Sequence, residues 1–262
     1  MKKYLAVVAL VACSGGALAQ SSSFEGVTLM LGASISTNQS KLSNNYNYTN
    51  LFAAAADAAG IGTYSFSKDS SVELTPSAQA SYTKALSNVF HLGVVAGFDL
   101  VESDHTLQSG VINFPNPNNR ADFPNAYSVS TKIESKSHWF IGLEPGYAFS
   151  KDLLGHLKLS YHEMRANIKT ATSISRANLN ADLVVTDPES ISTFRGYGIG
   201  FGATYLITPS YFVKADAEWV RYQTKNSAAS GLRSVNDELT LLQTQSIKPA
   251  SFNLGIQVGY KF

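Results

Sequence analysis

Hydrophobic residues occupy every second position over long stretches of this chain. Residues 251–262 are the clearest case, because small or polar residues fill the odd-numbered positions. Successive side chains of a β-strand point to opposite faces, so this pattern predicts a strand with one apolar face. A strand of about ten residues with this alternation is typical of a transmembrane β-barrel, whereas strands of soluble domains average about five or six residues. The apolar positions are Phe252, Leu254, Ile256, Val258, Tyr260 and Phe262.

The same alternation recurs seven times upstream and predicts eight strands in all. They cover residues 26–35, 73–82, 90–100, 139–149, 157–161, 197–205, 213–219 and 251–262. The connections alternate between short ones near 86–88, 150–152 and 207–210 and long ones over 37–71, 103–135, 170–194 and 224–249. Short periplasmic turns and long external loops are typical of outer-membrane barrels. We therefore expect an all-β fold, a closed antiparallel up-and-down transmembrane β-barrel of about eight strands, since closure removes the unpaired strand edges.

Two prolines interrupt this pattern, and aromatic residues mark its ends. Pro76 and Pro145 cannot donate a backbone hydrogen bond, so we expect a bulge or broken pairing at each. Aromatic residues near strand ends suit two interfacial girdles. They are Trp139, Trp219, Tyr147, Tyr205, Tyr211 and Tyr260.

The N-terminus has the composition of a secretory signal. Lys2 and Lys3 precede a short apolar run over residues 4–12, and small residues lead to Ala19. We expect a signal peptide over residues 1–19, a barrel domain over residues 20–262 and a location in the bacterial outer membrane. Cys13 lies in a sequence that also resembles a lipoprotein box. The reading as an ordinary signal residue is favoured, because the apolar run before Cys13 is very short.

Composition limits the possible partners and cofactors. Charged residues make up only 15 % of the chain and its net charge is +1, so we expect no nucleic-acid partner. His91, His105, His138 and His156 show no spacing known for metal sites, and we expect no metal and no cofactor.

Residues 198–222 carry a resemblance to a known family. A Gly-rich strand passes through a tight turn at 207–210 into a strand with Glu218 beside Trp219. This hairpin resembles those of the small OmpA-like and opacity-type outer-membrane barrels, in their barrel part only. The ending is similar to the family's terminal assembly signal, with Tyr260 and Phe262 as the aromatic residues. The resemblance implies three partners: the barrel assembly machinery, outer-membrane lipid and lipopolysaccharide.

Several charged or polar residues have the parity of the barrel interior. An eight-stranded barrel has room only for side chains, and buried charges must be paired. We expect an interior network in which Glu218 or Glu144 pairs with an inward Lys or Arg. A gated, narrow conduction path is the alternative. The inward residues are Asp99, Glu144, Lys158, His162, Lys214, Asp216, Glu218 and Lys261.

Ser160 and His162 lie two apart on one strand and raise the possibility of a hydrolase. Nucleophilic catalysis needs a base within hydrogen-bonding reach and an access route for the substrate. The sequence suggests no orienting acid, and parity turns both residues away from lipid. We therefore expect no enzyme, but a surface barrel with a structural or adhesive role and a possible extracellular ligand at its long loops. A narrow channel for small solutes is the second hypothesis and a lipid-modifying enzyme the third.

Overall fold

The computed structural model describes residues 23–50, 59–112, 124–176, 183–186, 190–233 and 239–262. The predicted signal peptide and Cys13 lie outside the described residues. The strands in chain order are β1 (Gly26–Asn50), β2 (Ala59–Ala85), β3 (Phe90–Asp99), β4 (Ser103–Ile112), β5 (Pro124–Ala148), β6 (Leu153–Arg176), β7 (Leu183–Thr186), β8 (Ser190–Leu206), β9 (Tyr211–Tyr222), β10 (Lys225–Arg233) and β11 (Leu239–Lys261). The described residues contain no helix that is long and apolar enough to cross a membrane.

Eight of these strands form a closed ring. The order around it is β1, β2, β3, β5, β6, β8, β9 and β11, and β11 pairs with β1 again. Every pairing is antiparallel. The closing ladder runs from Thr28↔Lys261 to Asn50↔Leu239. The fold class predicted from the alternation is therefore confirmed.

The ring has two distinct ends. The turn end carries the short connections 86–89, 149–152 and 207–210, together with Gly26 and Phe262. The hairpin end lies opposite. Strand β3 shows the alternation directly, since its odd-numbered residues from 91 to 97 are buried in the lumen and Leu92, Val94 and Phe98 are exposed.

Exposed apolar side chains form a continuous belt around the ring, and aromatic pairs mark both of its edges. At the turn end Tyr211 and Tyr260 have ring centroids 5.1 Å apart. At the hairpin edge Tyr161 is 5.8 Å from Trp139 and 5.7 Å from Tyr197. Members of this apolar belt include Leu31, Leu74, Phe98, Leu143, Leu157, Ile199, Phe201, Leu254, Ile256 and Val258.

Much of the chain that was predicted to form long connecting loops is paired as strands in the described residues. Strand β1 continues to Asn50 and pairs with β2 as far as Thr49↔Ala59. Strands β4, β7 and β10 lie beyond the belt and pair with β5, β6 and β11. These extensions were not predicted because segments such as 37–50 are mostly polar at both parities, and Leu42, Tyr46 and Tyr48 alone make the alternation too weak to detect.

The two prolines behave differently. At Pro145 the ladder between β5 and β6 is interrupted from Leu143↔Leu159 to Gly146↔His156, as predicted. The bulge expected at Pro76 is absent, because Pro76 pairs in register with Ala33. The Pro76 carbonyl accepts a hydrogen bond from Leu100 N at 2.9 Å, just beyond the end of β3. An N–H at Pro76 would point to the same side as this carbonyl, and β3 has already ended there, so the ladder loses no hydrogen bond through the proline.

Candidate functional site

Two buried ion pairs cross the barrel interior. Lys158 Nζ on β6 donates to Glu218 Oε2 on β9 at 2.8 Å. Lys214 Nζ on β9 donates to Glu144 Oε1 on β5. Lys158 is 2 % exposed and Glu218 4 %, so each charge depends on its partner for compensation. Four of the residues expected inside the barrel are thus brought together as two pairs.

Glu218 also joins Ser160 and His162 in one cluster. Ser160 Oγ donates to Glu218 Oε1 and lies 2.8 Å from His162 Nε2. His162 Nε2 lies 3.0 Å from the same carboxylate oxygen. This is the acid that the sequence did not reveal, because it lies 58 residues from Ser160 and on a strand that is not adjacent to β6.

A glycine on the intervening strand makes this cluster possible. Gly198 on β8 is paired with Ser160 on one side and Val220 on the other. A Cβ atom at Gly198 would overlap Ser160 Oγ and lie 2.6 Å from Glu218 Oε1. Side chains from β6 and β9 therefore meet across the bare backbone of β8. The sequence contains a sign of this open strip, since residues 196, 198, 200 and 202 are all glycine and share the inward parity.

The cluster continues through a second histidine to Asp99. His138 Nε2 lies 2.9 Å from His162 Nδ1, and the two rings stack at an interplanar angle of 9°. His138 Nδ1 lies 2.7 Å from Asp99 Oδ2, and Tyr222 Oη is 3.3 Å from His138 Nε2. We call this chain from Asp99 to Lys158 the interior relay. Sequence reasoning treated His138 as isolated, because no local spacing connects β5 to β6.

The remaining sequence-predicted residues lie apart from the relay. Asp216 Oδ2 is buried without a hydrogen-bond partner among the described residues. Lys261 Nζ donates to the Ser23 carbonyl at 2.6 Å at the turn end. Tyr260 and Phe262 face outward there, with ring centroids 4.9 Å apart.

The relay has groups suited to acid–base chemistry, but packed side chains enclose it. Ser160 is 6 % exposed and His162 1 %. Towards the hairpin end the next inward pair is Met164↔Phe194, and both side chains are buried. A cavity at the turn end is lined by Glu144, His156 and Lys214 among others, and Ser160 is not part of its wall. In the described part of the chain, no group of three or more His, Cys, Asp or Glu side chains is placed to hold a metal ion.

A second charge cluster lies beyond the belt at the hairpin end. Glu134 on β5 is within 3.0 Å of Lys132, 3.1 Å of Lys169 and 3.6 Å of Lys136. Hydrogen bonds from Lys132 and Lys169 lower the pKa of Glu134 to about 2. Lys136 also pairs with Glu102 at 2.6 Å. These ion pairs link the middle of β5 to Lys169 on β6 and to Glu102, at the level where the hairpins extend beyond the belt.

Comparisons with known proteins give structural neighbours only. No family model matches the chain, and no curated protein sequence matches it. The attachment invasion locus protein Ail of Yersinia pestis is 11 % identical, with 91 % of this chain and 100 % of that chain covered and a TM-score of 0.38. The outer-membrane protease OmpT of Escherichia coli is 13 % identical, with 90 % and 97 % covered and a TM-score of 0.45. The N-terminal β-barrel domain of Pseudomonas aeruginosa OprF is 13 % identical, with 85 % and 97 % covered and a TM-score of 0.29.

Removing one member of a buried pair should destabilise the barrel strongly. Glu218→Gln leaves Lys158 buried without a counter-charge, and we expect a loss of about 3–5 kcal/mol in the free energy of unfolding. Urea unfolding in lipid vesicles measures it. Glu102→Gln is the control, since Glu102 is exposed. The double variant Glu218→Gln with Lys158→Met should recover part of the loss, and equal stability of Glu218→Gln and the control would contradict the role of the pair.

The second charge cluster predicts that the Glu134 carboxyl titrates at an unusually low pH. Because the folded pKa of Glu134 is about 2, against an ordinary value of 4.5, its stabilising effect is complete above pH 4.5 and is lost as the pH falls towards 2. Carboxyl carbon shifts measured by NMR should show a midpoint near 2. Lys169→Gln should raise this midpoint, and Lys84→Gln at the turn end should leave it unchanged. A midpoint near 4.5 in the unmodified chain would contradict the cluster.

Proposed function

We propose that the protein is exported to the bacterial outer membrane and acts there as a plugged, non-enzymatic barrel for surface recognition or adhesion. We also propose that, among outer-membrane barrels, the protein is related to the OmpA-like and opacity-type barrels. Tyr260 and Phe262 serve as the assembly signal read by the barrel assembly machinery.

The apolar belt supports the membrane location. Leu31, Phe201 and Ile256 are all more than 60 % exposed, which is costly for a surface in water. The belt extends along β8 from Tyr197 to Tyr205, which corresponds to about 27 Å along the strand and roughly 20 Å along the barrel axis at a tilt of about 40°. That is close to the apolar band of about 25 Å on outer-membrane barrels.

The length of the paired hairpins is the observation that carries the proposed role. Strand β5 continues 15 residues from Trp139 at the belt edge to Pro124, and it is paired with β6 to Arg176. At about 3.3 Å per residue this is about 50 Å along the strand, or roughly 35–40 Å above the belt. Membrane anchoring requires no such projection. A rigid paired scaffold that holds connecting segments far from the bilayer is well suited to binding a ligand.

The interior packing favours this role over a channel or an enzyme. Phe194 and Val220 have no solvent exposure, and they lie beside the buried relay. A conducting path requires a continuous aqueous lumen, and an acyl transfer at Ser160 requires space for the substrate. The described residues offer neither at this level of the barrel.

Shortening one hairpin tests the proposal. Residues 38–71 are replaced by Asn-Gly, which joins the paired residues Thr37 and Val72. We expect unchanged insertion into vesicles and a several-fold loss of cell binding to surfaces coated with collagen, mucin or heparin. An epitope inserted after Lys151 at the turn end is the control for altered assembly. Ion conductance by the full chain in planar bilayers, with no binding to any surface, would contradict the proposal.

A further inference from the structure

A row of basic side chains lies on the outer surface of the barrel, just beyond the hairpin edge of the belt. Arg221 on β9 is paired with Tyr197, and Arg195 on β8 is paired with Glu163. Arg165 follows on β6, opposite Thr193. All three arginines are exposed. Together with Lys248, two residues from the partner of Arg221 on β11, they form what we call the arginine patch.

The members of the patch are diagonal neighbours on adjacent strands. Each step crosses one strand, about 4.8 Å, and two residues, about 6.6 Å, so consecutive Cβ atoms are roughly 8 Å apart. Arg165 and Arg221 are therefore about 16 Å apart at their Cβ atoms. Arginine side chains span these gaps, so the patch presents several guanidinium groups to one ligand of moderate size.

The patch has a large excess of positive charge. Arg195 Nε donates to Glu163 Oε2 at 3.3 Å, and the Arg195 side chain stays 61 % exposed. Arg165, Arg221 and Lys248 form no ion pair with any described side chain. Four cations thus face one carboxylate at the edge of an apolar surface. An anion is the ligand that this charge distribution favours.

The surface below the patch is shaped for acyl chains. Tyr197 is 67 % exposed and Trp219 49 %, and both lie at the hairpin edge of the belt. Ile199 and Phe201 continue the apolar surface towards the turn end. Aromatic residues at this level mark the lipid headgroup region, and long basic side chains reach into the same region.

We propose that the arginine patch binds the phosphate groups of a lipid that carries more than one phosphate, in the leaflet nearest the hairpins. Guanidinium groups bind phosphate oxygens in a bidentate manner, and their spacing suits a headgroup with two phosphates rather than one. The acyl chains lie along Ile199, Phe201 and Trp219. Glu163 holds Arg195 in place and competes with the lipid phosphate for it. This inference rests on the proposed membrane location.

Native mass spectrometry of the full chain in nonionic detergent tests the proposal, with diphosphoryl lipid A as the probe. Arg195→Gln with Arg221→Gln should weaken binding at least about tenfold. Lys84→Gln with Lys151→Gln removes the same charge at the turn end and should change binding less than twofold. Glu163→Gln should strengthen binding, because it removes the competing carboxylate. Phosphatidylcholine should show no dependence on either pair of substitutions.

The outcomes separate this inference from the proposed function. Insertion into vesicles is measured first, and a chain that does not insert overturns both. If the protein inserts but both double variants weaken lipid A binding equally, the assignment of the arginine patch is wrong and the proposed function stands. Displacement of lipid A by inorganic phosphate would show a site for free anions and overturn the lipid assignment. Tighter, arginine-dependent binding of heparin would assign the patch to a sulfated polysaccharide instead.

Discussion

Pairing of backbone N–H and C=O groups along a closed sheet is the constraint on which the rest of this structure depends. In hydrocarbon no water can satisfy these groups, so a sheet must close. Closure here is achieved by the ladder between β1 and β11, the first and last strands of the described chain. A closed ring fixes the parity of each strand, with one face outward and the other towards a narrow lumen. The apolar belt and the interior relay are the two faces of one alternation.

The narrow lumen then determines how interior charges are arranged. Lys158 and Glu218 lie on strands separated by β8, and both are paired with Gly200, which carries no side chain between them. Gly198, two residues along β8, likewise lets Ser160 and His162 reach the carboxylate, and His138 extends the chain to Asp99. The polar groups of the interior relay bond to one another and fill the barrel at their level. A filled barrel is a rigid support for hairpins that extend well beyond the belt.

Alternation predicted the ring but not its extensions. Residues 251–262 reveal their outward face because every second side chain is apolar, whereas β1 beyond Ile35 is mostly polar at both parities and only Leu42, Tyr46 and Tyr48 hint at a period. Parity also placed Lys158 and Glu218 inside the lumen. Their partnership could not be read from the chain, because register and shear decide which inward residues share a level. Glu218 on β9 and His138 on β5 join Ser160 in one cluster only when the ring is closed, because β9 is not adjacent to β6. Whether Pro76 would interrupt the sheet was also not predictable from the sequence, because it depends on β3 ending at Asp99.

The two tryptophans of the chain, Trp139 and Trp219, give the most direct test of the proposed position of the barrel in the bilayer. Both lie on outward positions at the hairpin edge of the belt, and a slip of one residue would turn either into the lumen. Their fluorescence is measured in vesicles of lipids brominated at different depths. We expect strong quenching by bromine near the headgroup, weak quenching by bromine near the bilayer centre and little by aqueous acrylamide. Emission that is insensitive to every brominated lipid would contradict the proposed position.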